Sequence, residues 1–547
     1  MTVRDRHFQS ELRVVTQALA GLGGDPDLDL LIEACAFLAG RVHQRIDDAA
    51  LGFYRRLADL VRPQLLRLVP PAVVLEFSPE GGARPVRLPA GTEVDAPTAV
   101  GEPCRFRTVA ELIVPPLRVT AVELAAAADV PELRVRLDAL ASGGLDVLAD
   151  AGLRLFIAAA PPLGHQLALW VLHHCTGVEL RVDGRAVQQL QPPVFAVAPG
   201  EADEPAGLRL LQHYWSLPQR LLFFDLRGFA RAALAGAAAC ELVLRCPGAP
   251  DLAFHTCPDD LKVSCVPAVN LFEADAAPIR ADLVTETYDL RVEGLPARHA
   301  EILDVTVVTG IPLGRGSKRR YLPVAAFLGA EGAAGCFSLA RARSPVDGAF
   351  DVELRIDAAD RPAREVLAAR LLVTNRDLVA EVEPGRPWTL PRGPAGLVPR
   401  PVGRISPPLR PPQDEAFHCR LAAHTALELG GLLSAERLRQ WLELYNFHPG
   451  DSLLGRRCAD QVAAIRAVTV APSLHVTPLG TLRCAGVLVV LDERGFSGRG
   501  DAFLFAHVLQ NIFNDSTPLN TALEFTARLL PSESELRWPP QLNTRRI

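Results

Sequence analysis

Residues 71–97 read PAVVLEFSPEGGARPVRLPAGTEVDAP. Val73, Val74, Leu75 and Phe77 form an apolar run too short for a helix. It is rich in β-branched residues and closed by Pro79, Gly81 and Gly82. A strand, a turn and a second strand are the reading that fits. The same texture recurs downstream in CRFRTV, LRVTAVEL, LRLFIA, GVELRVDG, LLFFDL, CELVLRC, YDLRVEGL, EILDVTVVTG, FDVELRI and RLLVTNRDL. Helical pieces are expected near 164–174 and 229–238.

Upstream the pattern changes. Phe8, Leu12, Val15 and Leu19 recur every three or four residues. So do Ile32, Cys35, Ala39, Val42 and Ile46, with His43 on the flank beside Ala39. That spacing lays one apolar stripe along a helix. A third helix through Phe53, Leu57 and Leu60 should end before Pro63. Residues 1–70 are therefore expected to form a helical bundle, with Asp25 or Asp27 as an N-cap after the turn at Gly23–Gly24. Downstream, 397–415 (LVPRPVGRISPPLRPPQDE) is proline-rich and reads as a linker. After it come helices at AFHCRLAAHTALEL and SAERLRQWLELY, a strand GVLVVLDE, a helix DAFLFAHVLQNIFN and a strand LEFTARLL. The expected fold is α+β and β-rich, with several domains. These are the N-terminal helical bundle (1–70), two central β-rich domains (71–200 and 201–396), the linker (397–415) and a C-terminal α+β domain (416–547). At 547 residues the chain exceeds the ~250–300 residues at which a single core stops growing.

Composition narrows the function. A net charge of −6 argues against a dedicated nucleic-acid binder. Eleven cysteines at irregular spacing read as free thiols in a reducing compartment. No secretory leader is evident. No stretch reaches the ~18 clean apolar residues of a membrane span, so a cytoplasmic protein is expected.

Motifs that would carry chemistry fail on spacing. GIPLGRGSKRR (310–320) places Arg315 where a P-loop needs its second glycine, and a strand-connecting loop is the better reading. His173-His174-Cys175, His255-x-Cys257 and His418-Cys419 each lack the second ligand pair that structural zinc requires. Asp492 and Glu493 are neighbours at a strand end, where they point to opposite faces and suit capping or an ion pair. No catalytic residue, metal or cofactor is expected. A β-rich carbohydrate-active enzyme, or a binding module acting alone, is the rival reading; the enzyme would need two carboxylates facing one cleft.

Four long blocks resemble the TssF (ImpG/VasA) family of type VI secretion baseplate subunits. They are LLIEACAFLAGRVHQRIDD with FYRRLADLVRPQLLRLVPPAVVLEF, then GLRLLQHYWSLPQRLLFFDLRG (207–228), LKVSCVPAVNLFEADAAPIRADLVTETYDL (261–290), and LDERGFSGRGDAFLFAHVLQNIF (491–513) with a closing RWPP. SAERLRQWLELYNF adds to the likeness, which spans the chain. The short ALAGLGGDPDLDL and the unusual AAHTALELGGLL and DSTPLNTAL depart from the family pattern.

The resemblance implies a structural subunit without chemistry. It would sit in a baseplate wedge with a TssG-like subunit (two TssF per TssG), a second copy of itself, TssE and TssK. Wedges of this kind surround the spike hub of a contractile injection system assembled at the inner membrane. In such wedges N-terminal helices join a shared bundle. Ile32, Cys35, Ala39, Val42, His43 and Ile46 are thereby candidate interface residues. Asn270, Leu271 and Phe272, between Pro267 and Pro278, are either a buried bend between β-domains or a clasp on the partner.

Overall fold

The structure is a computed structural model. It describes residues 12–13, 34–39, 41, 66–79, 84–127, 130–196, 206–247, 255–282, 285, 287–314, 317–327, 334–344, 347–358, 364–394, 396–424, 434–477, 480–518 and 521–542. The chain divides into two compact units. One comprises 1–66 with 412–427, the other 67–411 with 428–547.

In the larger unit the strands expected from short apolar runs are present, but they do not fill sheets in chain order. Ala72–Pro79 lies between Leu397–Val402 and Cys265–Val269, and Cys104–Thr108 and Glu93–Ala96 complete that sheet. Strands from both sides of residues 200 and 396 thus share one core, built on Val73, Leu75, Phe77, Val94 and Phe106. The Phe106 ring lies 4.8 Å from that of Trp388.

The proline-rich stretch corrects the linker reading. Leu397–Val402 is an edge strand, the one sheet position where Pro399 and Pro401 can forgo an N–H without breaking the ladder. On its open side the Pro399 carbonyl accepts from Trp388 N–H at 3.0 Å. Beyond it, Ser406 N–H donates to Ala72 O at 2.8 Å, and Leu409 and Val69 exchange backbone hydrogen bonds. Arg410 grips the fully buried Glu301 carboxylate bidentately, at 2.8 Å from Nε and 2.5 Å from Nη2.

An eight-stranded sheet follows Phe272–Asp275, Arg364–Thr374, Glu301–Pro312, Arg319–Pro323, Gly335–Arg343, Phe350–Asp357 and Thr287–Asp289, with Ile279–Asp282 also on Arg364–Thr374. Phe350–Asp357 alternates strictly between buried and less buried positions, as a strand over a core must. The glycine-rich GIPLGRGSKRR joins two adjacent strands of this sheet, Glu301–Pro312 and Arg319–Pro323.

The C-terminal sheet runs Ile465–Thr477, Gly480–Asp492, Ala522–Leu530 and Ser534–Leu542. Its middle pair is parallel, which requires a long crossover. Helix Arg499–Ser516 supplies it. This helix is apolar nearly all round and buried over most of its length, so it needs cover on several sides. Three segments approach it: the second strand's sheet and two other helices described below. In the smaller unit, helix Glu415–His424 is capped by Asp414, whose Oδ1 accepts from Phe417 N–H at 2.8 Å. That helix groups with 1–66 and not with the segments that follow it.

Candidate interaction surfaces

The 261–290 block carries the chain from one sheet to another. Cys265–Val269 lies in the first sheet and Phe272–Asp275 in the eight-stranded one, so residues 270 and 271 are the turn between them. Asn270 is fully buried and satisfies its amide with groups distant in sequence. Its Nδ2 donates to Arg105 O at 2.7 Å and to Asn375 Oδ1 at 2.8 Å. Its Oδ1 accepts from Asn375 N–H at 2.7 Å, while Asn375 Oδ1 accepts from Arg105 N–H at 2.8 Å. The two asparagines thus lock three segments together.

Leu271 and Phe272 are buried beside this lock, and the Arg105 guanidinium sits 5.3 Å from the Phe272 ring centroid. All three candidate residues here are interior within this chain. Asn375 and Arg105 were not foreseen, because 105 and 165 positions separate them from Asn270.

The N-terminal candidates are only partly described. Residues 34–39 and 41 are helical. Cys35 is exposed, Ala39 half-buried and Ala36 fully buried. The covered line therefore runs through Ala36. Leu38 remains 64% exposed and Phe37 39% exposed, with Arg41 lying over the Phe37 ring. Ile32, Val42, His43 and Ile46, and most of the expected bundle, lie outside the described residues.

The crossover helix (α5, Arg499–Ser516) packs on α1 (Leu163–Leu169) and α2 (Ala206–Ser216); α3 (Ala435–Glu443) packs on α4 (Leu453–Ala463), whose side chains Arg457 and Gln461 reach the start of α5. Two glycines permit the closest approaches. A Cβ on Gly207 would strike the α5 backbone at Ile512, and one on Gly500 would strike the carbonyl of His165 in α1. Where α2, α4 and α5 converge, the Asp501 carboxylate is buried. It accepts from Tyr214 Oη and Arg457 Nη2 at 2.7 and 2.8 Å, from Gln461 Nε2 at 3.3 Å, and from Ser497 N–H at 3.1 Å. Burial alone would raise this carboxyl; Arg457 and then the other partners outweigh it and hold it below the usual carboxylate range. Burial pushes nearby His165 below its ordinary range, and the four donors that converge on Asp501 make it a structural knot between these helices.

Two apolar side chains of this unit stand far into solvent, Leu474 and Leu453. Among the described residues Ile465–Thr477 pairs with Gly480–Asp492 on one side only, and on its other, long edge Leu474 is 70% exposed. Leu453, at the start of α4, is 77% exposed.

Among the described residues, no group of three or more His, Cys, Asp and Glu side chains is arranged to hold a metal ion. His173 is pushed down to about 4 by burial and by His174. Burial pushes the Cys240 and Cys458 thiols up to about 12, far from nucleophilic. Asp492 pairs with Arg466 at 2.6 Å and caps Arg494 N–H, the capping role its position suggested. A cleft of about 200 Å3 is lined by Glu111, Arg154, Asp225, Arg227 and Ser264, and both its acids are paired, Asp225 with Arg154 at 2.7 and 3.0 Å and Glu111 with Arg87. No described helix is long and apolar enough to cross a membrane.

Comparison with known proteins agrees with a chain made of contacts. The family described as "Type VI secretion system, TssF" matches residues 17–545. The "Type VI secretion system component TssF1" of Pseudomonas aeruginosa is 26% identical, over 95% of this chain and 93% of that protein. A chain of the cryo-electron microscopy structure of the type VI secretion system TssK-TssF-TssG baseplate subcomplex superposes with a TM-score of 0.78 at 25% identity, covering 95% of this chain and 99% of that one. A chain of "The baseplate complex from the type VI secretion system" shares the fold, with a TM-score of 0.63 at 22% identity over 99% of each. With a family match running from residue 17 to 545, this chain belongs to the TssF family of type VI secretion system proteins.

Proposed function

We propose that this chain is a structural subunit of a type VI baseplate wedge. It would assemble with TssG-like and TssK-like subunits, two copies to one TssG, and with TssE around the spike hub. There it would nucleate and anchor the contractile sheath and tube on the cytoplasmic side of the inner membrane. The observation that carries this is the match in fold, over 95% of the chain, to a chain of a TssK-TssF-TssG subcomplex.

In this reading 1–70 contributes helices to a bundle shared with the partner. Cys35, Ala39, Ile32, Val42, His43 and Ile46 lie on or beside its seam, and the exposure of Phe37 and Leu38 supports an apolar surface awaiting cover. The Asn270–Phe272 turn acts within the chain. It holds two sheets at a fixed setting, so that surfaces borne by each stay in register. Co-expression with a TssG-like and a TssK-like subunit tests the reading. The chain should elute with both. A chain that elutes alone as a well-behaved monomer, retaining neither, sinks the proposal.

A further inference from the structure

Two of the eleven cysteines, Cys175 and Cys246, meet at the ends of neighbouring strands. Cys175 follows the helical turn Trp170–His174 at the end of α1 and leads into strand Gly177–Val182. Cys246 follows strand Ala239–Arg245. The two strands are antiparallel partners, with Gly177 opposite Arg245. Thr176 N–H donates to Arg245 O at 3.0 Å and Cys246 N–H donates to Pro131 O at 3.0 Å, so the ladder holds the backbone at both cysteines. Cys246 Sγ lies 3.6 Å from Trp170 O, and Cys175 Sγ lies 3.4 Å from Gly177 O. The two thiols are also within hydrogen-bond reach of each other. Both are free. Sulfurs already in contact on a fixed backbone need little movement to reach a disulfide.

Contact makes the two sulfurs unlike. A Cys175 thiolate accepts the Cys246 S–H, which holds Cys175 below the ordinary thiol range although burial opposes it. The same hydrogen bond, and then burial, retain the proton of Cys246 and push that thiol far above its range. Exposure has the same asymmetry: Cys175 is 9% exposed and Cys246 0%. The sulfur that ionises first is thus the one a small reagent reaches, and the second lies against it. An attacking cysteine and a resolving one need this arrangement.

We infer that Cys175 and Cys246 close to a disulfide when the folded chain meets a hydroperoxide, with Cys175 the sulfur oxidised first. The Cys175 thiolate attacks one peroxide oxygen, the O–O bond breaks, and the leaving hydroxide takes a proton to become water. The Cys246 sulfur then attacks the Cys175 sulfenic acid. The S–S bond forms as the S–O bond breaks, and the Cys246 proton leaves with the hydroxide as a second water. Two thiols are oxidised and one peroxide is reduced. The bridge ties the end of α1, which packs on α5, to strand Ala239–Arg245. No partner subunit takes part in this chemistry, so it stands apart from the baseplate reading.

The folded full-length chain is treated with hydrogen peroxide, its remaining thiols are blocked with iodoacetamide during unfolding, and its peptides are weighed without reduction. The Cys175 and Cys246 peptides should appear joined, lighter by two hydrogens, and dithiothreitol should separate them. The same treatment in denaturant, where eleven cysteines compete, should make this pair a minor product. In Cys246→Ala the sulfenic acid has no resolving thiol, so Cys175 should take up dimedone. In Cys175→Ala, Cys246 should remain an alkylatable thiol under the same exposure. Folded wild-type chain in which both cysteines stay alkylated overturns the inference, and so does a share of this pair no greater in the folded chain than in denaturant. Dimedone on Cys246 in Cys175→Ala overturns the assignment of Cys175 as the first sulfur. The comparison of folded and denatured wild type decides the pairing even if neither variant folds.

Discussion

Asp501 and Phe272 are both buried, yet one was legible in sequence and the other was not. Phe272 is a large apolar residue between two prolines, and burial is the default for such a side chain. It is 5% exposed, in the core of the eight-stranded sheet. Phe272→Ala should cost ~3–5 kcal/mol in chemical denaturation through the cavity it leaves. Asp501 reads locally as an acid in the first turn of a helix, where capping explains it. Its actual partners Tyr214 and Gln461 lie 287 and 40 positions away, and no local pattern announces them. Asp501→Asn should cost ~3 kcal/mol, the lower end for a broken buried pair because Arg457 keeps about a third of its side chain in water.

The pH dependence follows from sign. The folded Asp501 carboxyl lies below its ordinary 3.8, so its contribution is present above that value and lost as pH falls through the depressed one. His173 is lowered from 6.5 to about 4, so the unfolded chain takes up its proton first. Stability should therefore begin to fall below pH 6.5, before the carboxylates titrate. Denaturation midpoints across pH 7 to 4 check this, and His173→Phe should flatten the upper part of the fall. Midpoints constant down to pH 4 would contradict it.

Elements were easier to find than their neighbours. The period-two runs and the apolar 499–516 segment name strands and helix directly, since side-chain periodicity is a local property. Sheet membership is not local. Cys265–Val269 joins Ala72–Pro79 across nearly two hundred residues, and composition carries no trace of that pairing. The proline-rich segment misled for a related reason. Proline excludes a central strand but not an edge one, and Leu397–Val402 is an edge.

Gly207 and Gly500 were unremarkable in sequence, yet they set how near α2 and α1 come to α5. Gly500→Ala gains at most ~1 kcal/mol of helix propensity. Its Cβ would meet the His165 carbonyl, and backbone cannot yield as a side-chain tip does. The net effect should be a loss of ~1–3 kcal/mol, and a variant as stable as wild type would show that α1 can shift. At the free edge, Leu474→Lys should leave the melting temperature unchanged and reduce self-association at high concentration, measured by light scattering, because charge on an open strand blocks pairing with another chain.

At the scale of the whole molecule, the resemblance of four separated blocks identified the family, while the surfaces by which such a chain would work stayed hidden. An interface helix and a core helix share the same apolar period, and only exposure tells them apart. Exposure in the 34–39 helix favours the interface. Leu38 and Phe37 are open although apolar, and the line of cover runs through Ala36. Ala39 is half-buried, at the margin between covered and open faces. Glutamine there keeps helix propensity within a few tenths of a kcal/mol of a good helix former and leaves its polar end free to reach water. It also adds bulk where a second helix must come within about 8–10 Å. Ala39→Gln should therefore preserve the circular dichroism and melting temperature of the isolated chain while reducing co-purification with the TssG-like subunit. If the isolated chain is destabilised instead, the face is internal to this protein. If neither property changes, the Ala39 side of the helix is not a docking surface, and the contacts of the N-terminal segment must be sought on its Leu38 and Phe37 side by the same pair of measurements.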